Sequence, residues 1–203
     1  MHESATAWLD PVTLASDQVR LEPLAPAHSP ALCEATRDGQ LWNLWYTSVP
    51  APERMDAWIA SALADRAAGT ALPFVVRDGN GVVVGSTRYC NADAGNRRLE
   101  IGHTWYAERV QRSGVNTQAK WLLLRHAFET LGCIAVEFRT HWCNLRSRAA
   151  IARLGAKQDG VLRNHRIMPD GSFRDTVVFS IVASEWPAAR AHLQFLVESG
   201  GQR

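Results

Sequence analysis

The sequence predicts a mixed α/β sheet carried by a single domain, and three observations lead there. Strand-like runs alternate with helix-like ones in the order strand, helices, three strands, helix, strand, helix, hairpin. The chain has 203 residues and 46% hydrophobic content, which suits one domain with a sizeable core. No internal repeat and no linker divides it.

Each element has its own justification. Val19 to Leu24 alternates apolar and polar residues and reads as the first strand. Pro30 to Arg37 is a short helix, followed by the aromatic segment Leu41 to Tyr46. Pro52 to Ala68 reads as a longer helix, with proline near its start and Gly69 at its end. Its apolar stripe is Met55, Ile59, Ala62 and Leu63, flanked by Trp58. Leu72 to Arg77 and Val82 to Tyr89 read as strands joined by the turn Asp78-Gly79-Asn80-Gly81. Those four residues lack the further ligands and downstream glutamate of a calcium loop. A polar loop, Asn91 to Asn96, leads to the strand Arg98 to Tyr106.

Beyond it lie a helix from Thr117 to Leu131, a β-branched and aromatic strand from Cys133 to His141, and a helix from Asn144 to Leu154 stopped by Gly155. Lys157 to Ile167 and Phe173 to Val182 form a closing hairpin around Pro169-Asp170-Gly171-Ser172. Ser184 to Glu198 is the last helix, with Ser184 as cap and Pro187 in its first turn.

Composition excludes several classes. A formal net charge of +2 argues against a dedicated nucleic-acid binder. Cysteines at 33, 90, 133 and 143 form no C-x-x-C pair, so neither a disulfide framework nor a zinc pattern is present, and reduced thiols are expected. Met1 to Asp10 lacks the pattern of a secretory signal, and no apolar run is long enough for a bilayer. The expectation is a soluble, cytoplasmic chain with no membrane partner.

Gln111-Arg112-Ser113-Gly114-Val115-Asn116-Thr117, between a strand and a long helix, is the most informative segment. There the backbone N–H groups and the helix dipole can converge on a phosphate. Alternatively, Asn116 or Thr117 is an ordinary helix cap. In the following helix Gln118, Arg125 and Glu129 share a narrow polar stripe. Lys120 lies roughly opposite it, where it either snorkels to solvent or approaches a bound phosphate.

Three segments carry a resemblance: Gln111-Arg112-Ser113-Gly114-Val115-Asn116; Glu100-Ile101-Gly102-His103-Thr104-Trp105; and Asn144-Leu145-Arg146-Ser147 with Leu154-Gly155-Ala156. They resemble, in order, the pyrophosphate loop, the Glu-Ile-Gly-Tyr-Trp strand and the Asn-x-x-Ser helix of the GNAT superfamily of acyl-CoA N-acyltransferases. The nearer likeness is to its Rim-type branch of ribosomal-protein N-acetyltransferases, over about residues 18 to 183. Two positions depart from the pattern. Asn116 replaces the small residue that closes the loop, and Ile151 stands where many members carry a tyrosine acid.

The resemblance implies a mostly antiparallel sheet with helices on both faces and one splayed parallel pair, formed by the strands ending at Tyr106 and beginning at Cys133. It further implies acetyl-CoA as co-substrate, with its pantetheine arm on Trp105, Tyr106 and Asn144 and its pyrophosphate on Gln111, Arg112, Ser113, Gly114, Val115, Asn116 and Thr117. Lys120 stands near the same phosphate. Glu100 is the candidate base, or else a structural ion pair. Ser147 is the candidate acid for the departing thiolate, or else a hydroxyl bonding its own helix backbone. Asn144 either caps its helix and nothing more, or caps it and also contacts the pantetheine arm.

Trp42, Trp45 and Tyr46 either line the acceptor cleft, as aromatic walls suited to a hydrophobic or cationic amine, or pack the core. The Asn91 to Asn96 loop could close the same cleft. His103 is expected on the strand face opposite Glu100, as a packed core histidine. His141-x-Cys143 lacks a second ligand pair, so no metal is expected.

The function implied is acetyl transfer to a primary amine of a small molecule or a peptide N-terminus. The alternatives are a non-catalytic acyl-CoA-binding module and transfer of a longer acyl group. Leu193, Phe195, Leu196 and Val197 of the last helix could pack a second subunit as a homodimer.

Overall fold

The computed structural model describes residues 8–200. Eight strands make one sheet: β1 (Leu14–Ala15), β2 (Val19–Pro23), β3 (Leu72–Asp78), β4 (Val83–Asp93), β5 (Arg98–Tyr106), β6 (Ala135–His141), β7 (Lys157–Ile167) and β8 (Phe173–Val182). Their spatial order is β1-β2-β3-β4-β5-β6-β8-β7. Every neighbouring pair is antiparallel except β5 and β6, which run parallel. That pair is registered only at Arg98↔Ala135, Leu99↔Val136 and Glu100↔Glu137. Past Glu100 and Glu137 the two strands part, and the gap between their C-terminal halves is the origin of the site.

Five α-helices cover the sheet: α1 (Ser29–Arg37), α2 (Met55–Ala67), α3 (Val115–Arg125), α4 (Leu145–Ala152) and α5 (Trp186–Glu198). Strand alternation assigns them to two faces. On one, Val75, Val83 and Trp105 meet Leu32 and Ala35 of α1 and Met55, Ile59 and Ala62 of α2. On the other, Phe74, Val76 and Phe138 meet Leu122 and Leu123 of α3, Ile151 of α4 and Leu193 of α5. Helices therefore lie on both faces of a mostly antiparallel sheet.

Several boundaries differ from the sequence reading. Two-residue β1 carries no periodicity and was not anticipated. The long helix begins at Val115, two residues early, and passes into a π-turn at His126–Thr130. Cys133 N–H still donates to the Ala127 carbonyl, so β6 starts only at Ala135. β4 continues to Asp93 and absorbs the first residues of the supposed Asn91 to Asn96 loop. Helix α5 starts at Trp186 with Glu185 at the N-cap and no side-chain cap bond, so Ser184 has no capping role. Of the four residues offered as a dimer face, Leu193 and Leu196 are buried within the chain's own fold, and Phe195 is exposed. Among the described residues no helix is long and apolar enough to cross a membrane. Residues 1–7 of the Met1 to Asp10 leader reading fall outside the described part.

Candidate functional site

A cleft of about 360 Å³ opens where β5 and β6 part. Trp105 and Tyr106 of β5, Gln111, Arg112 and Asn116 of the loop, and Asn144, Ser147 and Ile151 at α4 all line it. Gln111 Nε2 donates to the Tyr106 carbonyl at 3.1 Å, pinning the loop to the end of β5. Arg112 and Gly114 take positive φ, 63° and 91°, and Gly114 is the N-cap of α3. No side chain caps that end. Asn116 and Thr117 lie inside the helix, and Thr117 Oγ1 accepts from Arg153 Nη2 at 2.6 Å. The capping reading of the loop is thus overturned. Among the described residues the N–H groups of Gly114, Val115, Asn116 and Thr117 have no backbone acceptor, which leaves the donors of an anion cradle free. Ser113, Gly114, Val115 and Thr117 shape this turn without forming the cleft wall.

The opposite wall is ordered by α4. Asn144 Oδ1 accepts from the Ser147 N–H at 3.0 Å, so Asn144 is the cap of α4. Ser147 lines the cleft one turn into the helix, beside aliphatic Ile151. Three buried polar atoms of the same cleft have no partner among the described residues: Trp105 Nε1, Tyr106 Oη and His141 Nε2. Buried donors without acceptors are uncommon in a finished fold and mark where a ligand completes the bonding. An uncapped helix end at one side and orphaned donors along a narrow gap fit a pyrophosphate with an extended amide-bearing arm. These residues therefore fit acetyl-CoA.

A second cavity of about 230 Å³ adjoins the first and shares Ser48, His103, Arg139 and Arg174 with it. Glu100 lies in its wall, buried. Two β-bulges bracket this residue. One falls between Cys90 and Asp93 of β4, where Asn91 has φ 49°, and it lets Asn91 Nδ2 donate to Glu100 Oε2 at 2.7 Å. The other inserts a residue in β5 opposite the Ser86 to Arg88 step, with His103 at φ 50°. Gly102 stands between them, where an added Cβ would come within 2.9 Å of Glu100 Oε1. Arg139 Nε lies 3.6 Å from Glu100 Oε2 but bonds Glu137 more closely, at 2.9 Å from Nη2. Burial is the largest influence on Glu100 and holds its carboxyl above the ordinary carboxylate range, against the lowering effects of Asn91 and Arg139.

Two expectations fail here for physical reasons. His103 is not a core residue on the far face. The bulge turns it into the Glu100 cavity, where it is solvent-accessible. Although an edge of the ring reaches solvent, the protein atoms packed around the rest of it desolvate its charged form, and with the charges of Arg88 and Arg166 this lowers its pKa to about 4. Lys120 does not snorkel. It is buried, and its Nζ donates to Thr104 Oγ1 at 2.6 Å and to Thr87 Oγ1 at 3.2 Å. Desolvation lowers its pKa to about 7. It lines the first cleft, with its amine held by sheet hydroxyls.

Of the aromatic segment, Tyr46 lines the first cleft, while Trp42 and Trp45 stand outside both linings. Trp45 packs edge-on against His141, with centroids 4.9 Å apart. The missed aromatic wall is Trp58 of α2, which meets Trp105 edge-on and carries Arg88 at 5.5 Å from its ring centre. Sequence periodicity also missed Arg88, His165, Arg166 and Arg174 of the second cavity, because non-local pairing brings them together. Cys143 N–H donates to His141 Nδ1 at 3.0 Å, and among the described residues no cluster of three metal-ligating side chains occurs.

A splayed parallel pair, an uncapped loop-to-helix turn and two joined cavities accord with the acyl-CoA N-acyltransferase class that the sequence resembles. The chain belongs to the acetyltransferase (GNAT) domain family, whose model matches residues 18–157. It is 32% identical over 107 residues to the "Putative ribosomal N-acetyltransferase YdaF" of Bacillus subtilis (strain 168). That match spans 53% of this chain and 57% of the relative. Among solved structures, a GCN5-related N-acetyltransferase from Brucella melitensis superposes with a TM-score of 0.83 at 28% identity, covering 93% of this chain and 86% of that one. Mycobacterium smegmatis RimJ, in complex with CoA-disulfide, superposes with a TM-score of 0.78 at 25% identity, covering 94% and 95% of the two chains. The likeness to the Rim-type branch is thus supported by both sequence and fold.

Proposed function

We propose that the protein transfers the acetyl group of acetyl-CoA directly to a primary amine, on a small molecule or a protein N-terminus. The supporting observation is the junction of the two cavities at the point where β5 and β6 part. A thioester presented from the first cleft would meet an amine entering from the second. The amine nitrogen attacks the carbonyl carbon, the amide bond forms and the C–S bond breaks. Glu100, directly or through water, takes the proton that the nitrogen loses. Ser147 relays a proton from water to the departing thiolate and ends as the hydroxyl it began as, a role the aliphatic Ile151 cannot fill. Burial makes the Glu100 carboxylate a stronger proton acceptor than an exposed one, which favours its role as base. Arg112 and the free N–H groups of Gly114 to Thr117 hold the pyrophosphate.

Screening free amines and peptide N-termini for acetylation, with release of the CoA thiol, tests this reading. Glu100→Gln and Ser147→Ala are each expected to lower kcat, by on the order of 10²-fold for a lost proton-transfer group. Full turnover by both variants with every accepted amine would overturn the residue roles. Tight CoA binding with no acetylation of any amine would favour a non-catalytic acyl-CoA-binding module instead.

A further inference from the structure

The second cavity holds more positive charge than its carboxylates balance. Arg88 pairs with Asp65 at 2.9 Å, and Arg139 pairs with Glu137 and Glu100. Arg166 and Arg174 also line this cavity, and among the described residues neither has a carboxylate within 4.0 Å. They are direct cross-strand partners in the β7–β8 ladder. Like charges placed opposite each other weaken a sheet, and a nearby anion relieves the penalty.

The local fold turns this pair toward the amine site. Between Leu162 and Arg166 the β7–β8 register slips, with two extra residues on β7 and Asn164 at φ 48°. Asp175 anchors the bulge by accepting from Asn164 N–H at 2.8 Å and Arg163 Nε at 2.5 Å. The only carboxylate beside Arg174 in sequence is thereby occupied elsewhere. Arg174 Nε donates to Thr176 Oγ1 at 3.0 Å, which fixes the guanidinium and leaves its other N–H groups for a ligand. Arg88 Nε, in the same cavity, is buried without a partner.

We propose that Arg166 and Arg174 form a carboxylate-binding subsite, so that the acetylated amine carries a carboxylate of its own, in a free amino acid or on an early side chain of a peptide. This rests on the acetyl-transfer reading above. A simple cationic amine would meet guanidiniums on entry, whereas an amine bearing a carboxylate brings its own counter-charge. Arginine suits the role because its fork matches a carboxylate in two parallel bonds.

The test compares kcat/KM within two matched pairs of acceptors. One pair is alanine and alaninamide; the other is an alanyl-aspartyl peptide amide and its alanyl-asparaginyl counterpart. The carboxylate-bearing member of at least one pair is expected to be favoured on the order of tenfold or more, the scale of a charge-assisted hydrogen bond. The favoured pair identifies the source. In R166M/R174M the ratio is expected to fall toward one, and Tm to rise as the like-charge pair is removed. Equal use of both members in both pairs would overturn the subsite while leaving acetyl transfer standing. A preference that survives in R166M/R174M would overturn its assignment to these arginines. Should that variant fail to fold, the wild-type ratios still decide. CoA binding without acetylation of any amine would remove the acetyl-transfer reading, and this subsite with it.

Discussion

Glu100 and Lys120 are both ionisable groups held in places that disfavour their charge. For Glu100, burial raises the folded pKa above the unfolded value of 4.5. Between those values the folded state binds the proton and the unfolded state does not, so stability falls as pH rises through that window and stays reduced above it. Glu100→Gln is therefore expected to raise Tm at neutral pH while lowering kcat, and thermal melts paired with steady-state rates check both signs. An equal loss of stability and rate would instead mean that Glu100 is a structural ion-pair partner. Lys120 has its pKa lowered to about 7 from 10.5, chiefly by desolvation. Between pH 7 and about 10 the unfolded state carries the extra proton, so stability rises with pH across that window. Lys120→Met is expected to flatten this rise and to stabilise the fold at pH 7 and below. A melting-temperature series from pH 6 to 10 on both proteins reads it.

Bulges and glycines at the element scale account for most of the site. Gly85 of β4 has no room for a side chain, since a Cβ there would lie 2.1 Å from the Trp105 carbonyl oxygen. Gly85→Ala is expected to destabilise by at least the roughly 1–3 kcal/mol of an overpacked core, read from denaturant midpoints. Gly114 has φ 91°, and a Cβ there would meet the Gly200 carbonyl oxygen at 3.6 Å, an ordinary contact, so Gly114→Val strains the backbone more than the packing. It is expected to weaken CoA binding on the order of tenfold by re-aiming the free N–H groups, as measured by calorimetry, with a smaller loss of stability.

The same elements show what the sequence made legible. β5 at Arg98–Tyr106 and the hairpin strands Lys157–Ile167 and Phe173–Val182 coincide with their expected bounds, because alternation and turn residues are local signals. Alternation alone misplaces His103 and Asn91, and it locates Arg166 in its strand without showing the cavity it lines. A period of two assumes no inserted residue, and all three lie at register slips. Lys120 was misplaced because Thr87 and Thr104, which satisfy its ammonium, come from two strands remote in sequence.

Over the whole molecule, one departure from regular pairing sets up both halves of the proposed reaction. β5 and β6 pair over three positions and then part, and the two cavities meet beside that gap. Family membership follows from the match over residues 18–157, whereas the roles of Glu100 and Ser147 rest on their positions in the two linings. If the first cleft binds CoA, saturation at about 100 times Kd raises the unfolding free energy by about 2.7 kcal/mol, visible as a concentration-dependent Tm. The central claim is direct acetyl transfer between the joined cavities, with Glu100 as base. It is tested most directly by the pH dependence of kcat/KM for an accepted amine in the wild-type enzyme and in Glu100→Gln. The expected result is an acid limb above the ordinary carboxylate range in the wild type, absent from a much slower variant. Matching rates and the same limb in both proteins would contradict it.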